Sequence, residues 1–389
     1  MIIDAVVQQS PTLQFSLTAQ KLKTQGRDII SLGLGEPDYD TPDHIKAAAA
    51  EALRAGMTRY SAASGLPELR ELVAQKLRQD NGIPAKADEV LIVPGAKNAL
   101  FLACAAVLRP GDEVINLTPC YVSNVPILKL AEPGCVMHTV PLLADTFRLD
   151  RARILAALSP RTRLIVINYP NNPSGKMLDA DDAAFLRAVV AERDCYLLSD
   201  EIYERLAIAD LAHISPAAFP EIAERVITVN GFSKSYAMTG WRIGYTHAAP
   251  ALTAVMLKVH QQLNTNTAAF IQKAAVAALA GPQDRLRQFI GDLRARAALY
   301  RDFVAATPTV RSAPVEGGFF GFLHIGATGL GSDACATALL EDTGVAVIPG
   351  ISFGEDFDAW VRISLAAATG ELAEGLRRIG GFMARHAAA

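Results

Sequence analysis

The segment Gly231-Phe232-Ser233-Lys234-Ser235-Tyr236-Ala237-Met238-Thr239-Gly240-Trp241-Arg242 sets a lysine just beyond an apolar run, behind a hydroxyl and eight residues ahead of an arginine. A lysine attacks an aldehyde only as the neutral amine, so burial and a nearby cation must lower its basicity. Ser233 and Arg242 supply the donors that a phosphate needs. Taken singly, Lys234 reads as a surface lysine and Arg242 as a structural arginine in a turn; together they describe an imine-forming site with a phosphate clamp. Upstream, Ser199-Asp200-Glu201-Ile202-Tyr203 follows the apolar run 196–198. An Asp there is either a helix cap or a carboxylate at a strand end, where α/β folds place functional groups. Arg362, in Trp360-Val361-Arg362-Ile363-Ser364, is a charge inside an apolar strand. Such a charge is costly unless paired, and its planar fork suits either a structural salt bridge or a substrate carboxylate.

These residues need a scaffold that brings strand ends together. From about residue 90, short β-rich runs alternate with amphipathic helices, which predicts an α/β fold with a mainly parallel sheet covered on both faces. The seven candidate strands are 90–93, 113–117, 136–140, 164–167, 196–198, 226–229 and 241–246. Residues 181–193 read as a sheet-covering helix, with Ala184, Leu186, Val189 and Val190 on one side and Asp182, Arg187, Glu192 and Arg193 on the other. After about Gly281 the pattern becomes a long charged helix, 284–306, then strands near 319–325, 345–348 and 360–365 and a closing helix. This predicts a smaller α+β domain. The expected division is 1–45 as an N-terminal arm and part of the small domain, 46–282 as the large domain, and 283–389 as the small one.

Composition narrows the partners. The 389 residues carry a formal net charge of −3, so no basic field recruits nucleic acid or anionic lipid. The most apolar stretch, 90–108, is broken by Pro94, Gly95, Lys97 and Asn98, which argues against a membrane span. The start has neither a basic block nor a sustained apolar run, so no signal peptide is expected. Five scattered cysteines without a CxxC suit reduced thiols and a cytoplasmic location. The seven histidines form no HxH or HExxH, so no metal site is expected.

The lysine segment resembles the signature of class I and II aminotransferases, pyridoxal 5'-phosphate enzymes of fold type I, and most resembles their bacterial aspartate aminotransferase branch. Motifs in the family's order run from Gly33 to Arg362. By that resemblance Lys234 carries the cofactor as an imine, while Ser233 and Arg242 hold its phosphate. Asp200 pairs with the pyridine nitrogen, and Tyr203 and Asn172, the latter in Asn171-Asn172-Pro173-Ser174-Gly175, bond the phenolic oxygen. Gly95, Ala96 and Lys97 match the first phosphate-binding turn through their backbones, and Tyr121 matches the aromatic that stacks on the ring. Tyr60 resembles the tyrosine that reaches a neighbour's cofactor phosphate, which implies a homodimer with shared sites. Arg362 resembles the arginine that grips the substrate α-carboxylate, and Gly35 belongs to the motif whose backbone approaches the substrate. Other members place a Ser where Gly231 stands, which removes one phosphate hydroxyl.

The resemblance implies ping-pong transfer of an amino group from an L-amino acid to a 2-oxo acid. A β-lyase or synthase of the same fold would show the same cofactor contacts. A cofactor-sensing transcription regulator would need a DNA-binding module, for which there is no room before Gly33. On specificity, the segment 261–267 has no arginine of the kind used by classical dicarboxylate enzymes. Lys97, with Ser10 and Thr12, either replaces it toward a distal carboxylate or stays solvated. Phe15 keeps an aromatic or apolar substrate open.

Overall fold

Alternate residues of each central strand face opposite helical layers, as a two-residue period requires. Val90, Ile92, Ile165 and Ile167 point into one apolar layer with Leu69, Val73, Leu186 and Ala274. Leu91, Val93, Leu164 and Val166 point into the other, with Leu100, Ala103, Ile127 and Met256. Each such side chain stabilises the fold by about 1.5–3 kcal/mol when fully buried, which fixes the strand registers, since a one-residue slip would exchange the faces.

The computed structural model describes residues 11–386, with the backbone alone at 11–13 and 16. The large sheet contains β1 (Val90–Val93), β2 (Glu113–Thr118), β3 (Val136–Pro141), β4 (Thr162–Asn168), β5 (Tyr196–Asp200), β6 (Val226–Gly231) and β7 (Gly244–His247). Their order is β1-β7-β6-β5-β4-β2-β3. Pairing is parallel from β3 through β6, and β7 runs antiparallel to both neighbours. The α/β expectation of a mainly parallel seven-stranded sheet sandwiched by helices therefore holds. Parallel pairing aligns Asn168 with Asp200, and the antiparallel strand sets Gly244 against both Gly231 and Val93. Carboxyl ends of strands and the turns beyond them thus gather at one edge.

A second sheet, β8 (Phe320–His324), β9 (Ile348–Pro349) and β10 (Trp360–Ser364), is antiparallel in the order β9-β10-β8. Helices Asp284–Ala306, Ser332–Thr343 and Thr369–His386 accompany it. The chain before the large sheet reaches across: Ile30–Ser31 pairs in parallel with Val345–Ala346, and Leu32 O accepts from Ser364 N at 2.7 Å. Stacking of Phe322 on Trp360, with centroids 5.2 Å apart, lies within the same apolar layer as Val90 and Ile92, so the core is continuous between the two sheets.

Several expectations change. The strand expected at 241–246 begins only at Gly244, because Arg242 lies in the left-handed region at φ 54° and breaks the extended run. The strand expected at 345–348 divides at Val347, one half pairing with Ile30–Ser31 and the other with β10. The helix expected at 181–193 spans Ala180–Glu192, with Asp179 capping it. Its Asp182 is buried, accepting from Leu149 N and Arg151 Nη2, both at 3.1 Å, while Ala184 is exposed. Helices Pro11–Thr24, Asp43–Arg54 and Pro67–Asp80 precede the region in which the alternation is legible. Among the described residues no helix is long and apolar enough to cross a membrane.

Gly344 tests the junction between the first segment and the second sheet. It ends the helix Ser332–Thr343 at φ 72°, its carbonyl accepts from Ile30 N at 2.9 Å, and a Cβ there would stand 2.2 Å from Asp28 O. Gly344→Ala is expected to cost about 1–3 kcal/mol, seen as a lower thermal midpoint. An unchanged midpoint would contradict this packing.

Candidate functional site

The edge where β4, β5 and β6 end opens into a cavity of about 420 Å³. Lys234 enters it from the turn after β6. Its Nζ donates to Gly35 O at 2.6 Å and lies 6.0 Å from the ring centroids of both Tyr203 and Phe319. Burial pulls the amine down to about 8, with Arg362 and Arg242 pushing the same way against Glu36 and Asp200. The amine is thus far more often neutral near pH 7 than an exposed lysine.

Asp200 ends β5 and lines the same cavity. Its Oδ1 accepts from Ile202 N at 3.2 Å, and its own carbonyl is held by Tyr169 N at 3.1 Å and Asn168 Nδ2 at 3.0 Å. Burial raises the carboxyl to about 7, the Ile202 N–H opposing and Glu201 adding to the rise. A cation placed against it would restore full ionisation. Tyr203, one turn on, is buried with its hydroxyl pushed up by burial, so it keeps its proton as a donor. Asn172 also lines the cavity; Asn168 Oδ1 fixes its backbone N–H at 2.9 Å.

At one end of the cavity the groups suit an anion. Gly95, at φ 87°, caps the helix Ala96–Val107, whose first N–H groups have no intrahelical acceptor. A Cβ at Gly95 would meet Arg242 Nη2 at 2.5 Å, so only glycine admits that guanidinium. Ser233 and Thr239 line the same region, and Arg242 Nη1 donates to Thr239 O at 2.8 Å. Gly231 faces Gly244, and a Cβ there would lie 3.0 Å from Gly244 Cα. A serine at 231 would need Gly244 and the Ile243 carbonyl to give by a few tenths of an ångström.

Arg362 is buried on β10. Its Nη1 donates to Asn172 Oδ1 at 2.9 Å and its Nη2 to Gly33 O at 2.8 Å, while Nε has no partner. Its guanidinium carbon stands 4.1 Å from the Phe320 ring centroid and 5.2 Å from that of Phe353. Burial lowers it to about 10, which leaves it charged at neutral pH. Among the described residues it has no carboxylate partner, so the salt-bridge alternative fails and an anion-binding fork remains. Tyr121 and Lys97 line the cavity, with Lys97 Nζ 5.8 Å from the Tyr121 ring centroid and the Lys97 side chain exposed.

Lys234, Asp200, Tyr203, Asn172, Ala96, Lys97, Tyr121, Ser233 and Arg242 therefore share one cavity, with Gly35, Gly95 and Arg362 bonded or packed against its walls. Tyr60 does not join them. It is 86% exposed, in a separate groove with Met57, Asn266 and Phe270. Ser10 and the side chain of Thr12 lie outside the described residues; Phe15 is half-buried against the apolar layers. Sequence reasoning missed Glu36, Asn168 and Thr239, all of which line the cavity. Asn168 ends a parallel strand as Asp200 does, so the same signal could have found it.

Residues 27–379 match the family described as aminotransferase class I and II. Over 385 residues the chain is 37% identical to an aspartate aminotransferase of Rhizobium meliloti, covering 95% of this chain and 92% of that one. It is similar to the solved structure of Thermus thermophilus aspartate aminotransferase with maleate, at TM-score 0.92 and 35% identity over 98% of each chain. It is also similar to that of an aromatic aminotransferase from Pyrococcus horikoshii OT3, at TM-score 0.89 and 36% identity, over 94% of this chain and 99% of that one.

The depressed basicity of Lys234 is directly measurable. In the cofactor-free protein, the rate at which a small acylating reagent labels Lys234, followed by peptide mapping, is expected to rise with pH to half its maximum near pH 8. A midpoint above about 10, the ordinary lysine range, would contradict the buried environment.

Proposed function

The chain belongs to the class I and II aminotransferases, and from that premise we propose that it transfers the α-amino group of an aspartate-like L-amino acid to a 2-oxo acid. It is a pyridoxal 5'-phosphate-dependent enzyme. The cavity fits that cofactor on its own chemistry: an amine, a buried carboxyl lacking a cation, and a cradle at a helix N-terminus that a Cβ at Gly95 would fill. When bound, the cofactor supplies an aldehyde that takes up amines and a ring that accepts electron density from the substrate Cα.

The roles are those the family resemblance implies for the groups that share the cavity. Ser233, Arg242 and the backbone at Gly95, Ala96 and Lys97 would hold the phosphate, and Tyr121 would offer an aromatic surface to the ring. Asp200 would keep a proton on the ring nitrogen, while Tyr203 and Asn172 would donate to the phenolic oxygen. Lys234 would attach the cofactor and, when free, its Nζ would move the proton of the substrate Cα, a task suited to an amine titrating near 8. Arg362 grips the α-carboxylate, with Asn172 orienting its fork and the Gly35 backbone close by. The observation that carries this reading is the sharing of one cavity by Lys234 and Asp200 beside a buried, carboxylate-free Arg362.

The named activities of the similar proteins favour transamination over the elimination or ring closure of a lyase or synthase. An acidic substrate is supported by Lys97 at the cavity wall and by the solved structure of the Thermus thermophilus relative with maleate, a dicarboxylate. The similarity to an aromatic aminotransferase favours aromatic amino acids as the second reading. Residues 46–282 form the cofactor-binding domain, and 283–389 with the first 45 residues close over the substrate. A homodimer is supported by the exposed Tyr60, which lines an open groove with Met57 and Phe270 where a second copy would sit. Five buried, unpaired cysteines suit a cytoplasmic location.

Lys234→Ala is expected to lower kcat by at least about 10³-fold, because both attachment and proton transfer are lost; sustained turnover would overturn the assignment. Lys97→Ala is expected to lower kcat/KM for dicarboxylic amino acids by about tenfold or more while sparing apolar ones. Unchanged selectivity would remove the acidic-substrate role.

A further inference from the structure

Immediately beside Asp200 lies a buried charged cluster that makes no contact with the cavity. Glu201, fully buried, is pinned by its N–H to Val229 O at 2.8 Å. Its carboxylate accepts from Ser215 Oγ at 2.6 Å, His213 Nε2 at 2.9 Å, Ser199 Oγ at 3.0 Å and Asn81 Nδ2 at 3.4 Å. Glu204 accepts from Asn81 Nδ2 at 2.5 Å and pairs with Lys76. Carboxylate oxygens of Glu201 and Glu204 and a ring nitrogen of His213 lie within 4.8 Å of one another, and the Lys76 ammonium is bonded to Glu204 within the same group.

The cluster holds two carboxylates and one lysine. Buried charges are tolerated when they balance and their lone pairs are filled. Balance requires a second cation, and His213 is the group in contact with Glu201 that can supply it. Burial pulls the imidazole down, but the charge of Glu201 and its hydrogen bond, with Glu204 adding, leave it raised overall despite Lys76. The surrounding groups feel the cluster's charge, Glu201 drawing His247 up against its burial and both acids raising the Tyr245 hydroxyl, but each cation among them has its own acid. Arg205 faces Asp80, His247 faces Glu89 and is held down by burial, and the buried hydroxyls of Tyr236 and Tyr245 are pushed up and stay neutral.

We propose that Glu201 and His213 are positioning residues for Asp200: the Glu201 carboxylate, balanced by a protonated His213, sets the field in which Asp200 ionises and thereby how firmly it holds a proton on the cofactor ring. The two acids are consecutive, and the charge of Glu201 resists ionisation of Asp200. Removing the cation at 213 leaves less to offset that resistance; removing the charge at 201 relieves it. The proposal rests on the pyridine-nitrogen role of Asp200.

The test uses the holoenzyme of wild type, His213→Gln, His213→Lys, Glu201→Gln and Asp200→Ala. The readouts are the pH profile of kcat/KM and the pyridoxal phosphate dissociation constant against pH, followed by fluorescence. His213→Gln is expected to move the acid limb up by about one pH unit and to weaken cofactor binding about tenfold near neutrality. Glu201→Gln is expected to move the limb the opposite way, and His213→Lys, which restores a cation, to return it to the wild-type position. A purely structural role would lower stability without opposed displacements. Limbs that stay in place, or that move the same way in both neutralised variants, would overturn the proposal; should Glu201→Gln not fold, the His213→Gln and His213→Lys pair decides it. Asp200→Ala that keeps wild-type cofactor affinity and turnover would instead overturn the role of Asp200 itself.

Discussion

Three ionisable groups stand around one cavity without an ion-pair partner among the described residues, Asp200 and Arg362 buried and Lys234 half-buried. Burying an unpaired charge is expensive, and each group meets that cost differently. Asp200 rises to about 7 and Lys234 falls to about 8, so both move toward neutrality. Arg362 stays charged, held by the Asn172 and Gly33 oxygens and flanked by Phe320 and Phe353. On the proposed roles, these costs would be recovered when a cation, an aldehyde and a carboxylate arrive in the corresponding places, which would make the fold preorganised for its cofactor and substrate.

Holding three such groups within reach draws on every layer of the protein. Parallel register brings Asn168 and Asp200 to one edge, and the glycines at 231 and 244 let β6 and β7 close beside the helix that begins at Ala96. The segment before the large sheet brings the Gly33 and Gly35 carbonyls to Arg362 and Lys234. That segment is in turn latched to the long helix Asp284–Ala306, where buried Arg296 donates to Asp38 Oδ2 at 2.7 Å and to Leu365 O at 3.3 Å. The second sheet and the segment carrying the carbonyl that Lys234 bonds are thus joined through Arg296.

Much of this was legible in the sequence where signals are local. Apolar runs such as Val90–Val93 gave strands, and the residues at their ends gave Lys234 and Asp200. What escaped depends on distance along the chain or on backbone geometry. The left-handed turn at Arg242 has no propensity signal, the pairing of Ile30 with Val345 joins opposite ends of the sequence, and Asp182 is polar by type yet buried by its contact with Arg151. Tyr60, read as reaching a neighbouring copy's cofactor phosphate, faces solvent within one chain, as that reading allows. The balance among Glu201, Glu204, Lys76 and His213 was invisible for the same reason, because its members come from a helix, a strand end and a loop.

The most direct test of the central claim is a single-turnover absorbance scan of the yellow holoenzyme with a panel of amino acids and no oxo acid, followed by product analysis. The account predicts loss of the yellow band with one equivalent of 2-oxo acid formed per site, fastest with a dicarboxylic amino acid. Continuous release of ammonia and oxo acid from a single substrate, or a protein that takes up no pyridoxal phosphate, would contradict it.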